Sequence, residues 1–147
     1  MAEHTHHFDT AIEHTESKRG TITVAGRSPI AAGAPPQFGG TDAVWSPEHL
    51  CVAAVDACVM LTFEVIAGNS KLPFRSYTSS ATGTLEKVEG QGLEITRVVV
   101  KPRITVGPDV ERAKVDRIVR MAEKNCYISN SLKAAVTVEP EVVVEPN

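Results

Sequence analysis

The stretch Ser46 to Gly68, SPEHLCVAAVDACVMLTFEVIAG, constrains the rest of the chain more than any other. Ser46 is placed to cap a helix and Pro47 to occupy its first position, where a missing N–H costs nothing, while Gly68 is the candidate C-cap. Between Leu50 and Phe63 the only ionisable side chains are Asp56 and the thiols of Cys51 and Cys58. A helix apolar on nearly every face is normally buried on all sides. Its length suits a membrane span, but Glu48, His49, Asp56 and Glu64 would each be expensive in lipid, so the expectation is a core helix and no membrane partner.

A chain of 147 residues is long enough to bury such a helix without metal or disulfide staples and predicts one domain, 1–147. The net charge of −3 and pI near 5.9 leave no basic footprint for nucleic acid. MAEHTHHFDT has no apolar run of the kind a signal peptide needs, which predicts a cytoplasmic protein. In a reducing compartment Cys51, Cys58 and Cys126 are core residues or redox groups rather than a disulfide framework. Their spacing does not match a zinc site. His4, His6 and His7 suit a frayed polar terminus better than a metal site. No metal or cofactor is implied.

From His6 to Val24 the pattern reads as an opening hairpin, Phe8, Thr10 and Ile12 on one strand and Ile22 and Val24 on the next, joined through Glu16 to Gly20. Arg27 to Trp45 is rich in Gly and Pro and predicts a long connection with one short strand around Gln37-Phe38. After the central helix, Phe74 to Val88 and Leu93 to Val106 form a long hairpin. Its second run changes phase near Arg97, as a bulge or a doubly covered strand would, and Pro102 points to an edge or a bulge. A second helix is predicted from Pro108, with Asp109 and Glu111 in its first turn. Its stripe is Val115, Ile118, Val119, Met121, Ala122 and Cys126, and Arg112, Asp116, Arg120 and Glu123 face water. A β run from Ala134 to Val144, interrupted by Pro140, closes the chain. The order predicts an α+β fold of mostly antiparallel sheets around the central helix. One small sheet covers one side of that helix, and the cheapest cover for the other is a second copy, hence a homodimer.

A cysteine in an apolar helix is commonly an inert small hydrophobe, and Cys51 and Cys58 are both open to that reading. Seven residues apart, they sit about 10 Å from each other along the axis, too far for a disulfide. SPEHLCVAAVDACVMLTF is nevertheless similar to the central helix of the OsmC/Ohr family of thiol-dependent peroxidases, with Pro47, Glu48, Ala57 and Cys58 in register. A second family motif near the C-terminus, Ala-x-x-x-Cys-x-[Val/Ile]-Ser, is matched by Ala122, Cys126, Ile128 and Ser129. The element order corresponds along nearly the whole chain.

The resemblance implies an OsmC-like fold in an intertwined homodimer, Cys58 as the peroxidatic thiol and Cys126 as the resolving thiol. It implies an organic hydroperoxide or hydrogen peroxide as substrate, and a small thiol or lipoylated protein as dithiol reductant. It also implies an arginine, held by Glu48, that offsets the burial of Cys58; Arg19 falls closest to the family position, with Arg27 as rival. Ten helical residues, about 15 Å, separate Glu48 from Cys58, so the carboxylate near Cys58 would come from an antiparallel helix of the other subunit. Read from position alone, Glu48 is equally a first-turn carboxylate favoured by the helix dipole. Gln37 stands where some members have arginine, and Tyr127 where proline is usual. The alternative reading is a non-enzymatic module of the same fold that binds a small apolar ligand.

Overall fold

The computed structural model describes residues 4–147, in two compact units that meet in sequence between Leu50 and Cys51. The first unit holds a three-stranded antiparallel sheet in the order β1 (Ala11–Glu16), β2 (Arg19–Thr23) and β3 (Ile30–Gly33). The hairpin begins later than its sequence suggests: Phe8 and Thr10 precede β1, and Phe8 is almost wholly exposed. Lys18 makes the tight turn with a positive φ of 59° and donates through Nζ to the carbonyl of Gly39 at 3.1 Å. The strand expected around Gln37-Phe38 is instead a single 3-10 turn, Pro36–Phe38. The segment that does pair is β3, whose Gly33 N–H donates to Trp45 O at 2.8 Å.

Helix α1 runs from Pro47 to Asn69. Ser46 caps it: its Oγ accepts the His49 N–H at 3.1 Å and lies 2.7 Å from His49 Nδ1. The other end departs from expectation. Gly68 lies inside the helix, and the chain turns at Lys71, where φ is 53°; Leu72 N–H then donates to Ala67 O at 2.8 Å. Burial on all sides is met on one side only by this chain. Val55, Val59, Phe63 and Ala67 are buried, whereas Leu61 is 53% and Val65 62% exposed.

In the second unit the long hairpin forms as β4 (Ser76–Val88) and β5 (Gly92–Val106). The phase change near Arg97 is a bulge: Thr84 pairs with Arg97 and Leu85 with Ile95, leaving Thr96 extra. Val98, Val100, Ile104 and Val106 all face the core from β5, the period-two pattern of one buried face. Pro102 is not on an edge. It sits in the central strand, opposite Ser79 in β4. The other flank of β5 is shared by β6 (Ala135–Val138), along Arg97 to Val100, and β7 (Glu141–Val144), along Arg103 to Val106. Val100 O accepts from Glu139 N and Thr105 O from Arg75 N. By strand alternation the Pro102 nitrogen therefore faces the break between β6 and β7, where no ladder bond is required. Both short strands run parallel to β5, so the sheet is mixed rather than purely antiparallel.

Helix α2 spans Arg112–Asn125, with Glu111 at its N-cap, so Pro108 and Asp109 belong to the preceding turn and not to the helix. Val115, Ile118, Val119 and Ala122 are buried as the stripe requires, but Met121 is exposed. Glu123, expected in water, turns to β6: its Oε2 accepts the Val138 N–H at 2.6 Å. Phe63 of α1 anchors the core against Phe74 and Tyr77, with ring centroids 5.3 and 5.4 Å apart.

Candidate dithiol site

Cys58 lies mid-way along α1, half-buried, and packs against the core cluster that contains Cys126. Cys126 is the hinge between α2 and the single turn α3 (Tyr127–Asn130). Its extended backbone, φ −71° and ψ 114°, ends one helix and starts the other. The apolar stripe of α2 carries Cys126 into the core, where it is fully buried. All three thiols are free.

The two cysteines titrate in opposite directions. Burial pushes the Cys58 thiol up. Hydrogen bonds from the Cys126 thiol, the Ile128 N–H, the Thr62 hydroxyl and the Tyr127 N–H outweigh that and leave Cys58 below the ordinary thiol range. Burial pushes Cys126 up; the nearby polar groups of Ser129 oppose this, but the proximity and charge of Cys58 add to it, and the net direction is upward. The asymmetry makes Cys58 the more readily deprotonated of the two thiols.

Thr62, one turn along α1 from Cys58, is a site residue that motif reading passes over. Its hydroxyl donates to the Cys58 carbonyl at 2.7 Å and its Oγ1 lies 3.9 Å from Cys58 Sγ. A hydroxyl four residues after a candidate cysteine, on an otherwise apolar helix, was the signal available for it. The backbone amides of Tyr127 and Ile128 had no side-chain signal at all. The phenol of Tyr127 itself is largely exposed.

Arg19 and Glu48 belong to the first unit and line one cavity of about 540 Å³, together with Ile12, His14, Ala32 and Phe38 among others. Arg19 Nη1 is 3.7 Å from Glu16 Oε1. Glu48 Oε2 is buried and has no hydrogen-bond partner among the described residues. Arg27 does not line this cavity and donates to Ala25 O at 3.3 Å; Gln37 does not line it either. His4, His6 and His7 are exposed, and no group of three or more potential metal ligands occurs among the described residues.

An α+β chain with a long apolar helix and two thiols of opposite character defines a structural class. The chain belongs to the OsmC-like protein family, whose pattern matches residues 40–141 and so takes in both cysteines. It is 30% identical over 94 residues to peroxiredoxin OsmC of Escherichia coli (strain K12), a match that spans 64% of this chain and 64% of that protein. Among solved structures, an OsmC-like protein from Vibrio cholerae O1 biovar eltor str. N16961 is similar with a TM-score of 0.85 and 25% identity, over 93% of this chain and all of that one (100%). An organic hydroperoxide resistance protein from Elizabethkingia anophelis shares the fold with a TM-score of 0.76 and 18% identity, over 96% and 98% of the two chains.

Proposed function

We propose that the protein is a cysteine-based peroxidase that reduces organic hydroperoxides, and hydrogen peroxide as a second substrate, without metal or cofactor. The observation that carries this reading is a pair of thiols in one core cluster, Cys58 shifted down and Cys126 shifted up. The curated relative's designation as a peroxiredoxin supports it. The Cys58 thiolate attacks the distal peroxide oxygen, the O–O bond breaks, and the departing alkoxide takes a proton to leave as alcohol. Sulfur is oxidised by two electrons to a sulfenic acid. The Cys126 thiol then attacks that sulfur; the S–S bond forms, the S–O bond breaks and water departs. An external dithiol, lipoylated protein or small molecule, reduces the disulfide and is itself oxidised.

The working unit in this reading is a cytoplasmic homodimer, supported by the apolar face of α1 that this chain leaves open at Leu61 and Val65. Arg19 and Glu48 of one subunit supply the cationic environment for Cys58 of the other. The orphaned Glu48 oxygen, in a cavity also lined by Arg19, supports an incomplete site of this kind. Consumption of cumene hydroperoxide or hydrogen peroxide with a dithiol, by wild type but not by Cys58→Ser, is the test. Equal consumption by both would leave the second reading, a binding module for a small apolar ligand, which the mainly apolar cavity favours.

A further inference from the structure

We propose that Thr62 is a positioning residue for Cys58, its hydroxyl hydrogen resting on the Cys58 carbonyl while the sulfur is a thiol and turning to the sulfur when it becomes a thiolate. The inference rests on Cys58 being the reactive thiol. Its geometry is Oγ1 at 2.7 Å from Cys58 O and at 3.9 Å from Cys58 Sγ.

A threonine hydroxyl has one hydrogen and two lone pairs, so it can donate to the carbonyl or to the sulfur but not fully to both. While Cys58 holds its proton, the S–H can point to Oγ1, and the hydroxyl is free to donate onward to the carbonyl. Loss of that proton to solvent removes the donor and leaves an anion in a half-buried position, where a hydrogen bond is worth more than in water. The O–H then gains by rotating toward sulfur. The cost is small, because within the helix the Cys58 carbonyl also accepts the Thr62 backbone N–H. Threonine in a helix holds Oγ1 near the carbonyl four residues back, so the switch needs rotation about the C–O bond and a closer approach of Sγ and Oγ1, which stand 3.9 Å apart.

The groups that bear on Cys58 come from two elements. From its own helix there is Thr62, and from the turn after α2 there are the Cys126 thiol and the amides of Tyr127 and Ile128. Among the described residues Cys126 is the only titratable one of these, and no charged side chain contributes.

The test is the pH dependence of Cys58 alkylation in the full chain, resolved by peptide mass spectrometry. Thr62→Val keeps the shape and removes the hydroxyl; Thr62→Ser restores it. The midpoint in Thr62→Val should rise by about one pH unit, the size of one lost charge-assisted hydrogen bond, and Thr62→Ser should stay close to wild type. An unmoved midpoint in Thr62→Val, or an equal rise in Thr62→Ser, overturns the inference. Should Thr62→Val fail to fold, the wild type decides: the Thr62 Cβ carbon resonance should titrate with the Cys58 thiolate absorbance, and a flat resonance overturns it. Neither readout uses peroxide, so a wild type that consumes none would reject the peroxidase reading and leave Thr62 to be judged by titration.

Discussion

Glu123 of α2 and Val138 of β6 are joined side chain to backbone, Oε2 accepting the Val138 N–H at 2.6 Å, while Arg120 donates through Nη2 to Val138 O at 2.8 Å. Glu123 and Arg120 thus satisfy both backbone polar groups of Val138 on the outer side of β6, which the β4-β5-β6 sheet leaves as an edge. The same pair fixes the last turn of α2, directly before Cys126. Glu123→Ala should cost about 1–3 kcal/mol, because it orphans a partly buried N–H. Glu123→Gln, which can still accept, should cost less; the Arg120–Glu123 ion pair it weakens is a surface contact of small value. Urea denaturation of the three proteins checks the order.

The second expectation concerns assembly. A glutamate at Leu61 would place an unpaired carboxylate on the open face of α1. If a second copy covers that face, the penalty is on the order of 3 kcal/mol, a hundredfold or more in dissociation constant. Sedimentation velocity should find wild type dimeric and Leu61→Glu shifted to monomer, whereas a wild type monomeric at micromolar concentration would refute the dimer.

These relationships differ in how far the residues announce them. The start of α1 was legible because Ser46 and Pro47 act locally, through one side-chain acceptor and one missing donor. Its end was not: Gly68 offered an easy turn, but the helix continued to Asn69 and the left-handed residue is Lys71. Strand β3, Ile30–Gly33, is four residues with two alanines and one glycine among Gly and Pro, and hydrophobic patterning has too little to read there. Pro102 was misplaced because the rule that keeps proline to edges assumes a continuous neighbour, and here the neighbour breaks at Glu139-Pro140. Cys58 and Cys126 were legible as a pair only through motif resemblance. Their opposite titration depends on Thr62 and Ser129, each near its cysteine in sequence, and on two backbone amides that only the fold brings to Cys58.

The third expectation is chemical. Because Cys58 is shifted down and Cys126 up, lowering the pH from alkaline to neutral protonates Cys126 before Cys58. Iodoacetamide near neutral pH should therefore label Cys58 in preference to Cys126, by about tenfold or more. Equal labelling would refute the assigned asymmetry.

One equivalent of peroxide should link Cys58 to Cys126 within one chain and leave Cys51 free. Nonreducing peptide mapping decides this, and a disulfide through Cys51 would reverse the assignment. In Cys126→Ser nothing condenses with the sulfenic acid, so excess peroxide should carry Cys58 on to sulfinic acid, a gain of two oxygen atoms on that peptide.

The last expectation concerns the charge brought to Cys58 in the assembled protein. Arg19 and Glu48 line the same cavity, and Arg27 does not. A guanidinium keeps its charge at every pH of interest, so beside Cys58 it would favour thiolate over thiol throughout the titration. Arg19→Ala should then raise the alkylation midpoint of Cys58, by about one pH unit for the loss of one neighbouring cation. Glu48→Gln should raise it less, since the carboxylate orients the arginine and its own negative charge opposes the thiolate. Arg27→Ala should leave the midpoint in place. The hydrogen bonds from Cys126, Thr62 and the two amides remain in all three variants, so Cys58 without Arg19 should still titrate and still react, only more slowly at neutral pH. If Arg19→Ala is folded and dimeric and its midpoint does not move, those hydrogen bonds alone set the reactivity of Cys58, and the cavity between Arg19 and Glu48 serves another purpose.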